Sequence, residues 1–493
     1  MQNYCKFIAL CLVGLLSQTA FSQKTKTADK DTTFSYYSKL AASAKEEDKT
    51  LLERKLYDLL KSEKEQDWLT AQQFFYQLKK NGISDSIAKA DKIKFPKGQL
   101  VRNEEVRVVY DEPDAAKKEA AYLAWLKKFP PANFGTDRIT YDYARNSLAT
   151  AYAREGNVKK ALEYANMVKT PVWKGEGWAG TANELAKKGY LAEAGILFQK
   201  ALENSYKYMT TNKEDYGAQF AAIGYPGYCT SLADILYKEK KYEKALKYIR
   251  LAHDNSKGVR ANINSTYADI LIALGKDQEA FEMINETVKE GLATLDMKKN
   301  LKTLYAKVKG SNEGYEEYME SLNKILAAKV RKDLAKQIIN VPAPQFTLKD
   351  LDGNTVSLKD FKGKTVVLDF WATWCGPCKK SFPAMKKAVE KFQADKDVKF
   401  LFVHTWEHGD KNASENARKF VSEKAYPFQV LMDLQDEKTG LNNVVDSFKV
   451  TGIPTKFVID KEGNIRFKFT GFAGGDDAAV EEITAMIEMS EKK

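Results

Sequence analysis

Cysteine and histidine are scarce in this chain. Of its 493 residues, five are cysteine and three are histidine. A small scaffold held together by disulfides needs more paired cysteines, so that class is excluded. The apolar run near the N-terminus is too short for a membrane-spanning helix, and no later run reaches that length. The chain also lacks an arginine-rich block and an aromatic RNA-binding motif, so we expect no nucleic-acid binding.

The rest of the composition is that of a globular protein. Apolar residues make up 44% of the chain, charged residues make up 29%, and the net charge is +11. Lysines alternate with acidic residues along helical stretches, which indicates solvated helix faces. Because a single core rarely grows beyond about 250–300 residues, two or three domains are expected.

The first 22 residues have the pattern of an export signal. Lys6 gives a positive start, residues 7–16 are apolar, and Ala20-Phe21-Ser22 is a small-x-small cleavage site. A buried N-terminal helix is the alternative. The residue before Cys11 is too large for a typical lipidation site. We therefore predict that residues 1–22 are a cleaved signal peptide and that the product is soluble in the periplasm.

The region that follows the leader has apolar residues at helical spacing, and we predict a helical N-terminal region over 23–140 and helical repeats over 141–326. Within the repeats a glycine precedes an alanine by five residues at three places: Gly156/Ala161, Gly189/Ala194 and Gly275/Ala280. The pattern resembles tetratricopeptide repeats, in which a small residue lets two antiparallel helices approach closely. Such a region either binds a protein partner on its concave surface or is a helical scaffold without a ligand.

The pattern changes near residue 341. Residues 327–340 are charged and helical, and we predict a linker helix there, ended by the proline-rich segment 341–344. Apolar strands then alternate with helices as far as the last residues, which predicts a domain over 341–493 with helices on both faces of a central mixed sheet. The expected fold class is all-helical at the N-terminus and α/β at the C-terminus.

The segment Cys375-Gly376-Pro377-Cys378 follows a buried strand and begins a helix. Backbone N–H groups and the helix dipole stabilise a thiolate at this place, and the thiolate is the attacking species. The spacing keeps both sulfurs on one side of the first turn, so Cys378 can resolve a mixed disulfide made by Cys375. Zinc is a weak alternative, because Cys229 and the three histidines supply no second ligand pair. We interpret Cys229 as a buried structural thiol.

Asp369 ends the apolar strand that leads to these cysteines. A carboxyl group in an apolar setting has a raised pKa, which suits proton transfer near neutral pH. A solvated aspartate at the strand end is the alternative, and the apolar residues on both sides disfavour it.

The C-terminal third resembles the thioredoxin superfamily. Residues 369–379 are similar to the thioredoxin active site almost residue for residue, and Pro383 lies where thioredoxins kink their active-site helix. The segment 451–455, Thr-Gly-Ile-Pro-Thr, resembles the loop that carries their cis-proline. Residues 342–346 and an insertion around 405–432 look more like the exported ResA/TlpA-like, AhpC/TSA-type branch.

This resemblance covers about residues 341–491 and implies a thioredoxin fold and a role for each matching residue. Cys375 would be the nucleophile, Cys378 the resolving thiol, and Asp369 the buried acid that moves a proton at Cys378. The positions that would line or shape the site are Trp374, Gly376, Pro377, Ile453 and Pro454, with Pro454 in the cis form.

The resemblance also implies an exported thiol–disulfide oxidoreductase. Its substrates would be protein disulfides, its electrons would come from a membrane donor, and it would need no metal and no cofactor besides the Cys375–Cys378 disulfide. The Gly-Pro dipeptide favours a reductant, as in thioredoxins, but many ResA-like proteins carry other residues there. Disulfide isomerisation therefore stays open, as does a repeat protein whose redox domain serves one client, for example in cytochrome c maturation.

Overall fold

A computed structural model gives the arrangement of most of the chain. It describes residues 34–135, 139–407, 412–436, 439–471 and 475–491. The predicted signal peptide lies outside these residues. Contacts divide the chain into two compact units between Glu239 and Lys240. Within the described ranges, no helix combines the length and the apolar character needed to cross a membrane.

The first unit is built from α-helices, and its described residues form no strand. Apolar side chains such as Leu52, Leu56 and Phe74 repeat at helical spacing and form a buried core at its beginning. Its helices are α1 (Phe34–Ala42), α2 (Glu46–Leu59), α3 (Glu65–Gln77), α4 (Asn81–Lys94), α5 (Gln99–Glu105), α6 (Arg107–Asp111), α7 (Ala115–Lys128), α8 (Ile139–Glu155), α9 (Val158–Asn166), α10 (Lys174–Lys187), α11 (Leu191–Thr210), α12 (Ala218–Ile223) and α13 (Tyr225–Lys238).

The repeated glycine and alanine of the sequence have a clear structural basis in this unit. Gly156 and Gly189 follow the ends of α8 and α10 with φ of 83° and 88°, a conformation that favours glycine. Ala161 and Ala194 lie on the next helices and are fully buried where α9 contacts α8 and α11 contacts α10. The assignment of these helix pairs to tetratricopeptide repeats stays a prediction.

The second unit begins with five helices and continues into a sheet of eight strands. The order of the strands across the sheet is β1-β8-β7-β4-β5-β6-β2-β3, with β5 parallel to β4 and to β6 and the other pairs antiparallel. The elements are α14 (Tyr242–Asn255), α15 (Ala261–Ala273), α16 (Asp277–Lys289), α17 (Leu295–Lys309), α18 (Tyr315–Leu334), β1 (Val341–Pro342), β2 (Thr347–Asp350), β3 (Thr355–Ser357), β4 (Thr365–Trp371), α19 (Gly376–Lys391), β5 (Val398–His404), α20 (Ala413–Glu423), β6 (Val430–Met432), α21 (Asn443–Ser447), β7 (Thr455–Ile459), β8 (Asn464–Thr470) and α22 (Asp476–Glu491). This is the predicted fold class: helices first, then a thioredoxin-like mixed sheet with helices.

Residues 327–340 do not form a helix of their own. They contain the end of α18, which continues across residue 327 because neither proline nor glycine interrupts it. Leu334 is buried in a core beside the sheet, and Arg331 forms ion pairs with two carboxylates of α22, those of Glu481 and Glu488. The helix is therefore held by packing against the C-terminal helix rather than linking two bodies. The other predicted domain boundaries stay predictions.

Strand β4 separates two cores, because successive side chains point to opposite faces of a sheet. Val367 and Trp371 lie in one core together with Cys375 and Cys378. The side chains of the alternate positions, Val366, Leu368 and Phe370, lie in the other core. Asp369 shares its parity with Val367 and Trp371, so it is on the face of the sheet that carries both cysteines.

Candidate active site

The two cysteines lie where the buried central strand β4 passes into helix α19. Cys375 is the N-cap of α19, and its Sγ accepts a hydrogen bond from the backbone N–H of Cys378 at 3.1 Å. Pro377 is in the first turn, where a helix does not require its N–H. Cys375 and Cys378 form a disulfide, with 5.3 Å between their Cα atoms. This position at a helix N-terminus favours the thiolate of Cys375 once the disulfide is reduced.

The loop before β7 lies against the disulfide. The peptide bond between Ile453 and Pro454 is cis, which is the form that the resemblance implies. The carbonyl oxygen of Ile453 is 3.6 Å from Sγ of Cys375, and the Ile453 side chain packs against both cores of the sheet. In the reduced protein this oxygen can accept a hydrogen bond from the Cys375 thiol.

The structure brings all the predicted site residues to this end of the sheet. Cys375, Cys378, Asp369 and Pro454 are buried, Trp374, Gly376 and Ile453 are partly exposed, and Pro377 is exposed. Cys229 lies in the other unit, where burial raises its thiol pKa to about 12, so it is an inert thiol at neutral pH. Among the described residues, no group of three or more His, Cys, Asp or Glu side chains could hold a metal ion.

Asp369 is buried, as its apolar neighbours predicted, with 1% of its surface exposed. Its Oδ2 is 3.3 Å from Nζ of Lys456, which stands opposite it in the register of β4 and β7. The contact is an ion pair without an aligned hydrogen bond, and both carboxylate oxygens lack an aligned partner. Burial raises the pKa of Asp369 above its ordinary value, and the ammonium group of Lys456 opposes this rise only in part.

A second carboxylate, on the segment after β5, holds the residues that precede Cys375. Oε2 of Glu407 accepts a hydrogen bond from the backbone N–H of Thr373 at 3.1 Å, and Oε1 accepts one from its hydroxyl at 2.5 Å. Nε2 of the buried His404 lies 3.0 Å from Oε2 of the same carboxylate. One residue earlier, the carbonyl oxygen of Trp406 accepts a hydrogen bond from the indole N–H of Trp374 at 2.8 Å.

These contacts define what we call the Glu407 bracket: Glu407, His404 and Trp406, which together hold Thr373 and Trp374. Burial tends to raise the pKa of Glu407, but the contacts with His404 and Thr373 outweigh it and hold the pKa below its ordinary value. The carboxylate is therefore ionised at neutral pH and remains a strong acceptor for the Thr373 donors.

Sequence reasoning missed three charged residues of this region: Lys456, Glu407 and Glu482. A signal existed for Lys456, since it is the only charged residue of a strand that is otherwise uncharged and mostly apolar, and a buried charge requires a partner. Glu407 and Glu482 carry no such signal, because neither stands in a motif. Their significance comes from contacts between distant segments.

Comparisons with known proteins agree with this chemistry. The AhpC/TSA family model matches residues 339–468. The chain is 35% identical over 140 residues to the thiol-disulfide oxidoreductase ResA of Bacillus cereus, covering 28% of this chain and 73% of that protein. It is 36% identical over 129 residues to ResA of Bacillus subtilis, covering 26% of this chain and 65% of that protein.

One solved structure also matches part of the chain. A thiol:disulfide interchange protein DsbE from Chlorobium tepidum matches with 32% sequence identity and a TM-score of 0.26. The match covers 31% of this chain and 96% of that protein. Like the sequence relatives, it matches only part of this chain.

Proposed function

The chain belongs to the ResA-like thiol-disulfide oxidoreductases of the thioredoxin superfamily, and from this premise we propose that it reduces disulfide bonds in exported proteins through Cys375 and Cys378. The observation that carries the proposal is the placement of the cysteine pair. One sulfur caps the N-terminus of α19, and the carbonyl oxygen of Ile453 stands 3.6 Å away from it. A substrate disulfide that reaches the N-terminus of α19 meets Cys375 first, because Cys375 is 2% exposed and Cys378 is fully buried.

The reaction proceeds in two exchanges. The Cys375 thiolate attacks one sulfur of the substrate disulfide, so a Cys375–substrate bond forms and the other substrate sulfur leaves as a thiolate. Cys378 then loses its proton, its thiolate attacks the Cys375 sulfur, and the second substrate sulfur leaves. Two electrons have passed from the dithiol to the substrate. A reduced donor, which we propose to be membrane-bound, must then reduce the Cys375–Cys378 disulfide.

Asp369 is the group that we propose as the proton acceptor for Cys378. It faces the core that contains both cysteines, and its raised pKa makes its carboxylate a better base than an ordinary aspartate. Trp374, held by the carbonyl oxygen of Trp406, shields the sulfurs on the exposed side.

The predicted leader assigns this chemistry to the periplasm. Residues 1–22 have the charge and apolar pattern of a signal peptide, and a reducing activity outside the cytoplasm requires export. N-terminal sequencing of the mature protein should begin at Gln23, and a product that retains the first 22 residues would contradict this assignment.

A trapping experiment tests the oxidoreductase proposal. In the Cys378→Ala variant the first exchange can occur but the second cannot, so substrates should remain bound to Cys375 as mixed disulfides. The Cys375→Ala variant is the matched control and should trap none. Non-reducing gels and mass spectrometry of native extracts would identify the adducts. The proposal fails if no adduct forms and the wild-type protein does not reduce insulin.

The reduction potential decides the direction of the reaction. The Gly-Pro dipeptide predicts a potential close to the thioredoxin value of about −270 mV. Equilibration of the Cys375–Cys378 pair with dithiothreitol and glutathione buffers would measure it. A potential above about −180 mV would contradict the assignment as a reductant and favour an isomerase or an oxidant instead.

A further inference from the structure

A small cavity lies beside the buried ion pair of Asp369 and Lys456. Its volume is about 20 Å³, which is enough for one water molecule. Most of its lining is apolar, but Ser381 of α19, Lys456 of β7 and Glu482 of α22 also line it. A buried water needs two to four polar partners, and these three side chains supply them. The cavity therefore lies between the active-site helix and the C-terminal helix and brings one polar side chain of each, together with Lys456, to the same apolar space.

The inner end of this cavity is close to the redox chemistry. Ser381 follows Cys378 by one turn of α19, and its hydroxyl donates a hydrogen bond to the carbonyl oxygen of Cys378 at 2.9 Å. Lys456, which lines the cavity, is the ion-pair partner of Asp369. Both oxygens of Asp369 and Nζ of Lys456 lack an aligned hydrogen-bond partner although all are buried. Buried polar groups in this state are rare and require an explanation.

Glu482 also lines this cavity and is partly exposed, so it is the lining carboxylic acid that reaches solvent. Burial raises the pKa of Glu482, and Lys456 opposes the rise. The cations on helices next to α22 contact other side chains of that helix, and Lys391 donates a hydrogen bond to the hydroxyl group of Thr484. Arg331 pairs with Glu481 and Glu488, and Lys387 pairs with Asp476 and Asp477. Lys456 is thus the cation that acts on both Asp369 and Glu482.

We propose that Glu482 is the outer group of a proton path that leads from Asp369 through this cavity to solvent, with Lys456 as a positioning residue between the two carboxyl groups. The inference rests on the proposed function and names a residue that serves it. It explains how a carboxyl group with 1% exposure can exchange its proton during each turnover. It also gives a physical role to the unpartnered polar atoms around the ion pair.

The proton balance of the second exchange follows from this path. The Cys378 thiol gives its proton to the Asp369 carboxylate, and the Cys378 thiolate then forms the bond to Cys375 while the substrate sulfur leaves. The proton moves from Asp369 across the cavity to Glu482 and on to solvent. The released substrate thiolate takes its own proton from solvent. The path therefore carries one proton outward for each substrate disulfide reduced.

Neutralising Glu482 in the full-length protein tests the path. Single-turnover oxidation of the reduced protein by a disulfide-containing peptide would be followed from pH 5.5 to 9 in H₂O and D₂O. We expect Glu482→Gln to slow the resolving exchange about tenfold at pH 7 and to increase its solvent isotope effect. Glu482→Asp, which keeps a carboxyl group, should recover part of the rate.

The neighbouring variant Glu481→Gln is the matched control. It removes a carboxylate from the same helix, but Glu481 pairs with Arg331 and does not line the cavity. We expect its rate and isotope effect to equal those of the wild type. Equal behaviour of Glu482→Gln and Glu481→Gln would overturn the path while leaving the oxidoreductase intact. Loss of insulin reduction by the wild type itself would instead overturn the proposed function.

A second variant tests Lys456 by a different readout. Lys456 lowers the pKa of Asp369, so Lys456→Met should move the acid limb of the resolving exchange to higher pH. Lys456→Arg keeps the charge and should leave this limb near its wild-type position. If the methionine variant does not fold, the rates and isotope effects of the Glu482 variants still test the path, because those variants leave Lys456 unchanged. An acid limb that stays in place in a folded Lys456→Met protein would contradict the role of Lys456.

Discussion

Two buried carboxyl groups, those of Asp369 and Asp91, have pKa values above the ordinary value of an aspartate. Asp369 has a cation 3.3 Å away and faces the redox pair, so its raised pKa serves the reaction. Asp91, on α4 of the first unit, is also 1% exposed, and neither of its carboxylate oxygens has a hydrogen-bond partner. The same desolvation therefore costs stability in one unit and supports chemistry in the other.

Asp91 predicts a fall in stability with rising pH. Burial, with a smaller contribution from Glu65, raises its pKa to about 7. The folded state therefore holds a proton that the unfolded state loses near pH 4. The free energy of unfolding should fall by up to roughly 4 kcal/mol as the pH rises from about 4 to above 7. Asp91→Asn should remove this fall.

Thermal unfolding of the full-length protein at several pH values would check this prediction. The advantage of Asp91→Asn over the wild type should grow between pH 4.5 and 7.5. Asp85→Asn changes an exposed aspartate of the same helix and should show no such trend. A constant difference between Asp91→Asn and the wild type across this range would show that Asp91 is ionised when folded.

At the scale of elements, the active site depends on how the segment after β5 holds the loop before α19. The cysteines are placed by α19 itself, but Thr373 and Trp374 are placed by the Glu407 bracket. Trp406 has a φ of 54°, which is uncommon for a residue with a side chain and sets the direction of its carbonyl group. The loop is thus fixed by a neighbouring element and not by its own sequence alone.

Removing the Glu407 carboxylate should make the position of Thr373, and with it that of the nearby Cys375, less fixed. We expect Glu407→Ala to lower kcat/KM for insulin reduction about tenfold, because a misplaced nucleophile loses much of the gain from orientation. Glu407→Gln keeps an acceptor and should lose less. The fluorescence of Trp374 should also become less sensitive to the redox state in the alanine variant. Glu415→Ala, an exposed change on the nearby α20, is the control. Wild-type rates in Glu407→Ala would show that the bracket is dispensable.

At the scale of the whole molecule, the redox sheet is not the whole of the second unit. Helix α18 packs against α22 through Leu334 and Arg331, and the backbone N–H of Gly475 donates a hydrogen bond to the carbonyl oxygen of Gly291 at 2.9 Å. Lys298 of α17 also pairs with Asp477 of α22. Helices that precede the sheet in sequence therefore support the helix that carries Glu482.

Truncation should separate the roles of the two units. A chain of residues 240–493 keeps every contact just described, so we expect it to fold and to reduce insulin at the full-length rate. A chain of residues 327–493 loses α17 and part of α18, so its Tm should be lower. Insulin assays and thermal unfolding would check both. Equal Tm values for the two truncated chains would contradict a supporting role for the earlier helices.

The first unit is the candidate for client selection. Deleting residues 24–239 from the Cys378→Ala variant should narrow the set of trapped proteins if the helical region recognises clients. Mass spectrometry of the adducts would compare the two sets. An unchanged set would assign recognition to the redox unit alone.

The sequence by itself determined the redox chemistry and the class of fold. Cys375, Cys378 and the strand that leads to them are close together in the chain, so local spacing was enough to identify a thiol site at a helix N-terminus. The burial of Asp369 followed from its apolar neighbours in the same strand. The glycine and alanine pattern predicted helix pairs because each unit of that pattern is also local.

Only the tertiary structure decided which groups surround that chemistry. Lys456 meets Asp369 because β7 lies beside β4 in one particular register. Glu407 and Glu482 reach the site from a loop after β5 and from the last helix, and α18 proved to be part of the redox unit rather than a linker. These contacts join segments that are far apart in the chain. A local sequence pattern cannot predict them, because the segments become neighbours only when the sheet and its helices pack together.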